Sequence, residues 1–365
     1  MPRFLPILAA LSLASGVFAQ PERKQKKPKK EEKEPVTQTL PALPDPPSAI
    51  LASTSSLVFR VSPLSSKGLM TPQTREALRA LLQEHRGTTI VKLRAFVTGS
   101  GDMRRIATLV SETFTERKLP LPVVSTIQVG GLPMEGAQIV IESTALDKKA
   151  VNPHGLAFFS GQQTKDLRQS LAHLQTAVAA AKVAPGSVLR ATCFLSSLDH
   201  AAEARTAILT AFPNAAANVV QLQRLAVEPL AECEAVGRLD SPPGSSVVLL
   251  NPPELTQSPN YSQVALVNSP RIVITGTQQT FGNQDADFRL AFGRLQKALE
   301  PFGAGFKDVF WSSAYPLSRT ALDKLRAIRW DYYDKSRPSA STAVLFEGLP
   351  SLDATLALEV IAVAR

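Results

Sequence analysis

Two segments of this chain close an apolar run with the same kind of turn: "HGLAFFSGQQ" at 154–163 and "RIVITGTQQ" at 271–279. Each ends in a small hydroxyl residue, a Gly and a glutamine-bearing stretch. Three further stretches, "IVKLRAFV" at 90–97, "VLRATCFL" at 188–195 and "DVFWSSAY" at 308–315, run or alternate apolar over a strand's length. A helix start follows each of them, at Asp102, Asp199 and Ser318, residues whose side-chain oxygens accept from free backbone N–H groups. An amphipathic helix precedes each. The first opens at Thr71 with Pro72 in its first turn, where a missing N–H costs nothing. The second carries Leu167, Leu171, Leu174 and Val178 on one stripe, and the third Phe288, Phe292, Leu295 and Leu299. A strand pair closes each unit. A period of about one hundred residues is too long for a solenoid and marks tandem small domains. The two opening turns therefore occupy corresponding places in repeats two and three, and the order β–β–α–β–α–β–β is complete in the third.

The spacing predicts repeats over 54–149, 150–240 and 241–365. Ahead of them, "MPRFLPILAALSLASGVFAQ" has one early cation, an apolar run and small residues ending at Ala19, the layout of a secretory signal over 1–19. Residues 20–53 hold seven Lys/Arg and four Glu followed by prolines, a solvated, semi-rigid linker. This tail and Arg3 supply much of the formal charge of +9, and the rest carries no basic stripe, so a nucleic-acid partner is not expected. No later segment is long enough to span a membrane, and the expected location is secreted or periplasmic. The four histidines form no ligand pair, and neither metal nor cofactor is expected. Cys193 and Cys233 both fall in strand-like stretches, where pairing depends on whether the fold brings their Cα atoms within range.

The third repeat, with "PNYSQ", the turn at Thr275-Gly276 and the close "GLP…LEVIAVA", resembles the RidA/YjgF/L-PSP (Rid) family along its length. The second matches through "GLAFFSGQ" and "GSVLRATCFLSSLDHAAEA", and the first, most weakly, through "TIVKLRAFVTGSGDM", "GGLP" and "IVIESTAL". The resemblance implies an α+β, chorismate-mutase-like fold that relatives assemble as a trimer, with clefts between subunits. Three such units in one chain then form an intramolecular pseudo-trimer, a monomer acting as a trimer. A sheet with helices on one face needs another layer on its second face, and three second faces can close a common core.

The family's deaminases hydrolyse 2-imino acids: an Arg grips the substrate carboxylate, a final-strand Glu activates water, and a Tyr and a turn Ser line the cleft. Carried over by position, the Glu corresponds to Glu142, Glu234 and Glu359. The Ser turn corresponds to Ser160-Gly161-Gln162 and, softened, to Thr275-Gly276-Thr277; the Tyr corresponds to Tyr261. The Arg has no counterpart, since Val124, Ala217 and Ser341 stand at its place. None of these side chains can imitate the two parallel charge-assisted hydrogen bonds of guanidinium with carboxylate. The usual 2-imino acid deaminase is therefore not expected. Without a cationic neighbour, the three Glu are expected to be driven toward the neutral acid in a dry cleft. Each site residue also has a structural reading. The Glu can face a hydrated channel, Tyr261 can cover a sheet edge, the glycines can serve turn geometry, and Ser160 and Thr275 can bond nearby backbone. Two functions follow: a binding protein for an unknown small molecule in clefts between units, or an imine/enamine hydrolase using Glu359, Tyr261 and Thr275.

Overall fold

A computed structural model describes residues 42–99 and 103–365. The expected signal, most of the linker and the cap at Asp102 lie outside the described residues. A short β1 (Ala49–Ala52) precedes the first repeat, which holds β2 (Leu57–Val61), α1 (Met70–Glu84), β3 (Thr89–Thr98), α2 (Arg105–Glu116), β4 (Val123–Val129) and β5 (Ile139–Leu146). The second holds β6 (Leu156–Thr164), α3 (Leu167–Ala180), β7 (Val188–Leu195), α4 (Ala201–Ala211), β8 (Ala216–Gln221) and β9 (Ala231–Arg238). An antiparallel pair, β10 (Val247–Leu250) and β11 (Val264–Val267), leads to the third. That repeat holds β12 (Ile272–Thr275), β13 (Gln278–Phe281), α5 (Asp285–Leu299), β14 (Val309–Pro316), α6 (Arg319–Ile328), β15 (Ala340–Ala343) and β16 (Ala354–Val363).

Each repeat builds a mixed α+β layer pair with the same strand order: β2-β5-β3-β4, β6-β9-β7-β8 and β12-β16-β14-β15. The edge pairs β3/β4, β7/β8 and β14/β15 are parallel, each joined by a crossover helix, and the other neighbours are antiparallel. Helix stripes pack on the odd-numbered side of the central strands in the first two repeats and on the even-numbered side in the third. Leu171, Leu174 and Val178 of α3, for example, meet Ala191, Cys193 and Leu195 of β7. Ser318 caps α6 by accepting from the Ala321 N–H at 3.2 Å. Two expected helix starts are corrected: α1 begins one residue ahead of Thr71, and α4 is preceded by His200, not capped by Asp199.

Two placements depart from sequence order. The β10–β11 pair, next to the third repeat in sequence, hydrogen-bonds through β11 to β6 of the second, with Val264 opposite Phe159 and Val267 opposite Leu156. The end of the expected linker is not free chain: β1 adds to β12 of the third sheet, with Ala49 opposite Thr275 and Ala52 opposite Ile272. The chain's first described strand thus completes its last sheet.

The second faces of the sheets meet in two apolar clusters. One joins Leu57 and Phe59, Leu156 and Phe158, and Ile274, Phe310 and Trp311; the Phe158 and Phe310 rings lie 5.1 Å apart. The other joins Phe96, Phe194, Tyr315 and Phe346, with Phe194 and Tyr315 edge-on to Phe346 at 5.6 and 5.2 Å. Behind the second sheet, Cys193 and Cys233 sit directly opposite on β7 and β9, form a disulfide and are fully buried. No described helix is long and apolar enough to cross a membrane.

Candidate functional site between the second and third sheets

Strand alternation sets three rungs on the inner faces of β3, β7 and β14. Lys92, Arg190 and Trp311 form one, Arg94, Thr192 and Ser313 the next, and Phe96, Phe194 and Tyr315 the third. The middle rung lies opposite Glu142, Glu234 and Glu359 on the antiparallel side. On the parallel side it faces Ser125, Asn218 and Thr342. The three Glu therefore share one place, as the repeat predicts, but that place is a polar belt sealed between the two apolar clusters.

Their neighbours are cations, which corrects the expectation that they lack any. Arg94 donates to Glu142 Oε2 through Nε at 2.9 Å and Nη2 at 2.6 Å, and Nη2 also reaches Glu234 Oε1 at 2.6 Å. Thr192 and Asn218 of the second repeat donate to Glu142 Oε1 at 2.6 and 2.7 Å. Lys92 donates to Glu359 Oε2, Ser125 Oγ and the Thr275 carbonyl, each at 2.7 Å, which satisfies all three of its protons. Ser125 donates to the same Glu359 oxygen, and Tyr315 donates to the other at 2.8 Å. Burial pushes the Glu142 carboxyl up, but the Arg94 and Arg190 charges with the two hydrogen bonds hold it down at about 2. Glu359 is likewise held low against burial, first by Lys92 and then by Arg94. These carboxylates tie neighbouring repeats together.

Val124, Ala217 and Ser341, the positions at which the resemblance would place an Arg, face Leu93, Ala191 and Ser312 on corresponding rungs. At the junction of repeats three and one, Gly276 lies against Val124, where a Cβ would stand 3.1 Å from the Val124 carbonyl. A cleft of about 350 Å³ there includes Arg104, Thr277 and Gln278. Thr275 turns its hydroxyl to the Val360 backbone, accepting from its N–H at 2.9 Å. At the junction of one and two, "FRVSPL" supplies no such turn.

The junction of repeats two and three gathers the rest. The Ser341 N–H donates to Ser160 Oγ at 2.8 Å, Ser160 donates to the Ser262 carbonyl at 2.6 Å, and the Gly161 N–H donates to Thr342 Oγ1 at 3.2 Å. Beside them lies a residue that sequence reasoning passed over, Glu232. It is 3% exposed and faces Phe194 across the sheet. The corresponding positions are Val140 in the first repeat and Ala357 in the third, so only this junction has the acid. A Cβ on Gly161 would fall 1.9 Å from Glu232 Oε1, so Gly is required for the carboxyl to pass. Burial and the nearby Glu234 charge push the Glu232 carboxyl up to about 8, against the Ala343 N–H bond and Arg326. Tyr261 is half-buried, and its hydroxyl is pushed up by burial and by Glu232. Tyr261 thus belongs with Glu232, whereas Glu359 and Thr275 belong to the Lys92 cluster. The available signal was "ECE" at 232–234, two acids on one strand face.

Outside this packed turn the junction opens into a cleft of about 300 Å³ between the 222–230 loop and α6, with Ala343 and Leu345 at its base. The junction thus holds a buried carboxyl that keeps its proton at pH 7 and a half-buried phenol, and beside them a small apolar cleft that neither of the two lines. Among the described residues no group of His, Cys, Asp and Glu is placed to hold a metal ion.

No family model matches this chain, and no curated protein sequence does. Solved structures similar to it include a Rid-family protein of unknown function from Yersinia pestis, at 18% identity and a TM-score of 0.29, covering 33% of this chain and 99% of its own. A YjgF-family protein from Neisseria meningitidis aligns at 14% identity and 0.24, over 33% of this chain and 95% of its own. A member of the YjgF/YER057c/UK114 family from Mycobacterium tuberculosis aligns at 20% identity and 0.24, over 33% of this chain and 100% of its own.

Proposed function

We propose that the protein is an exported, single-chain RidA-like pseudo-trimer of chorismate-mutase-like units that binds a small molecule at the junction of its second and third units. It is not a 2-imino acid deaminase of the usual kind. The observation that carries this reading is the exchange at the family's Arg position. Ser341 stands there with its N–H bonded to Ser160, so no guanidinium grips a substrate carboxylate beside Glu232. Losing one partner of such a buried pair costs about 2–5 kcal/mol, hence roughly thirty- to several-thousand-fold in affinity or rate. Export is supported by the leader pattern and by the Cys193–Cys233 disulfide, a bond that persists in oxidising compartments.

A second reading, an imine or enamine hydrolase, is favoured by one feature. A carboxyl whose proton leaves near pH 8 can serve as a general acid at neutral pH. In this reading Glu232 replaces Glu359 as the working carboxyl, and acts as a proton donor where the sequence reading of Glu359 had a base, with Tyr261 as its companion.

One assay separates the readings: a panel of imines generated in situ, presented to the wild type, Glu232→Gln and Glu359→Gln. Binding without acceleration is the expected result. Acceleration lost in Glu232→Gln but kept in a folded Glu359→Gln establishes the hydrolase. Neither binding nor acceleration overturns both.

A further inference from the structure

The cleft outside Glu232 has a chemistry of its own. Leu222, Leu322 and Val344 are buried and form its apolar wall. Arg319, Leu322 and Arg326 project from one face of α6 at three- and four-residue steps, so both guanidinium groups stand over that wall. Arg326 meets Asp323 at 3.4 Å on the exposed side of the helix. No acidic group lies within ion-pairing distance of Arg319 among the described residues. On the opposite rim, the 222–230 loop contributes one carboxylate, Glu228. Ala343 lines the base, on the strand that also carries Ser341 and Thr342.

We propose that this cleft takes a small monoanion with an apolar body, its charged end held by Arg319 and Arg326 and its body against Leu222, Leu322 and Val344. This names the ligand class of the site proposed above and rests on that reading. The apolar wall favours a compact aryl or short alkyl body, since about 300 Å³ is at the low end of small-molecule sites. The Arg pair selects for an anion and places its charge at the mouth, away from the acid at position 232. Glu228 sets the valence: a second negative charge on the ligand would meet this carboxylate on the rim, a repulsion that solvent weakens but does not remove. The cation is thus displaced from the inner turn, where Ser341 stands, to an outer helix, and the ligand is turned accordingly.

Calorimetric titration of the full chain with 4-phenylbutyrate, 4-phenylbutanol and phenylsuccinate tests this. The butyrate should bind, the alcohol about tenfold more weakly, and the dianionic succinate more weakly still. Arg319→Gln with Arg326→Gln should remove the preference for butyrate over alcohol while leaving alcohol binding in place. Glu228→Gln should improve succinate. These are surface positions, and unchanged thermal melting will show that the variants fold. Equal binding of acid and alcohol by the wild type, or a preference that survives loss of both Arg, overturns the anion assignment and leaves the cleft reading standing. Binding of none of the three overturns both.

Discussion

Glu142 and Glu232 are both sealed from water, and their neighbours drive them in opposite directions. Glu142 has two guanidinium groups and two hydrogen-bond donors and stays ionised down to about pH 2. Glu232 has Glu234 two residues away on the same strand face and keeps its proton up to about pH 8. Unfolded, both titrate near the usual carboxylate range, about 4.3. The signs follow by linkage. Glu142 contributes stability above its unfolded value, and that contribution is lost as pH falls toward 2. Glu232 contributes fully below its unfolded value, and its contribution is lost as pH rises from about 4.5 to about 8. Glu232→Gln keeps the shape and the neutral form, so it should match the wild type at pH 4 and exceed it by up to about 5 kcal/mol at pH 9. Denaturant melts across that range check this; parallel stability profiles for the two proteins would show that Glu232 is ionised when folded. Replacing one partner in the Glu142 cluster is the opposite case, because it strands a buried charge.

At the scale of elements, alternation announces a strand without saying which edge it will join. "VALV" at 264–267 is apolar over a strand's length and "AILA" at 49–52 falls in the expected linker, yet both form strands, and their hydrogen bonds go to β6 and β12, across the chain order. What decides is the vacant edge: β12 exposes Ile272–Thr275, and β1 covers it in antiparallel register while burying Ala52. Deleting the chain through Ser53 should therefore cost about 2–3 kcal/mol and lower Tm on the order of 3–5 °C, with new self-association. Calorimetry and light scattering measure both; a truncated chain that melts like the full one would show that β1 is dispensable. The helices were legible because one face of each meets an ordinary core. The belt was not. In "IVKLRAFV" the charges at 92 and 94 alternate with apolar residues, the pattern of a strand with one wet face. Only a third layer turns that face inward, and the carboxylates that make it tolerable come from β5, β9 and β16. Glu232 was hidden for a related reason. The repeat drew attention to positions shared by all units, whereas its value lies in being present in one.

At the scale of the whole molecule, fusing three similar units frees corresponding positions to differ. Three identical subunits would place three identical charges at each rung. Here the first rung carries Lys92, Arg190 and Trp311, the second Arg94, Thr192 and Ser313, and cations of one repeat serve acids of the others: Lys92 serves Glu359, Arg94 serves Glu234 and Arg190 serves Glu142. Folding is correspondingly mutual. The first repeat by itself would expose Phe59, Phe96 and Ile127 together with Arg94 and Glu142, stripped of Thr192, Asn218 and Glu234. It would also carry off β1, the edge of the third sheet. Dividing the chain within the 147–155 connection should therefore give fragments that do not fold as separate monomers. Coexpressed, they should assemble one-to-one, because every strand pair within a sheet except β1–β12 lies inside one fragment. Size-exclusion chromatography with circular dichroism on each fragment and on the pair distinguishes the cases. A first fragment that is monomeric and cooperatively folded would mean that its inner face can close without the others, and the belt would then be an embellishment of three independent units, not the contact that joins them.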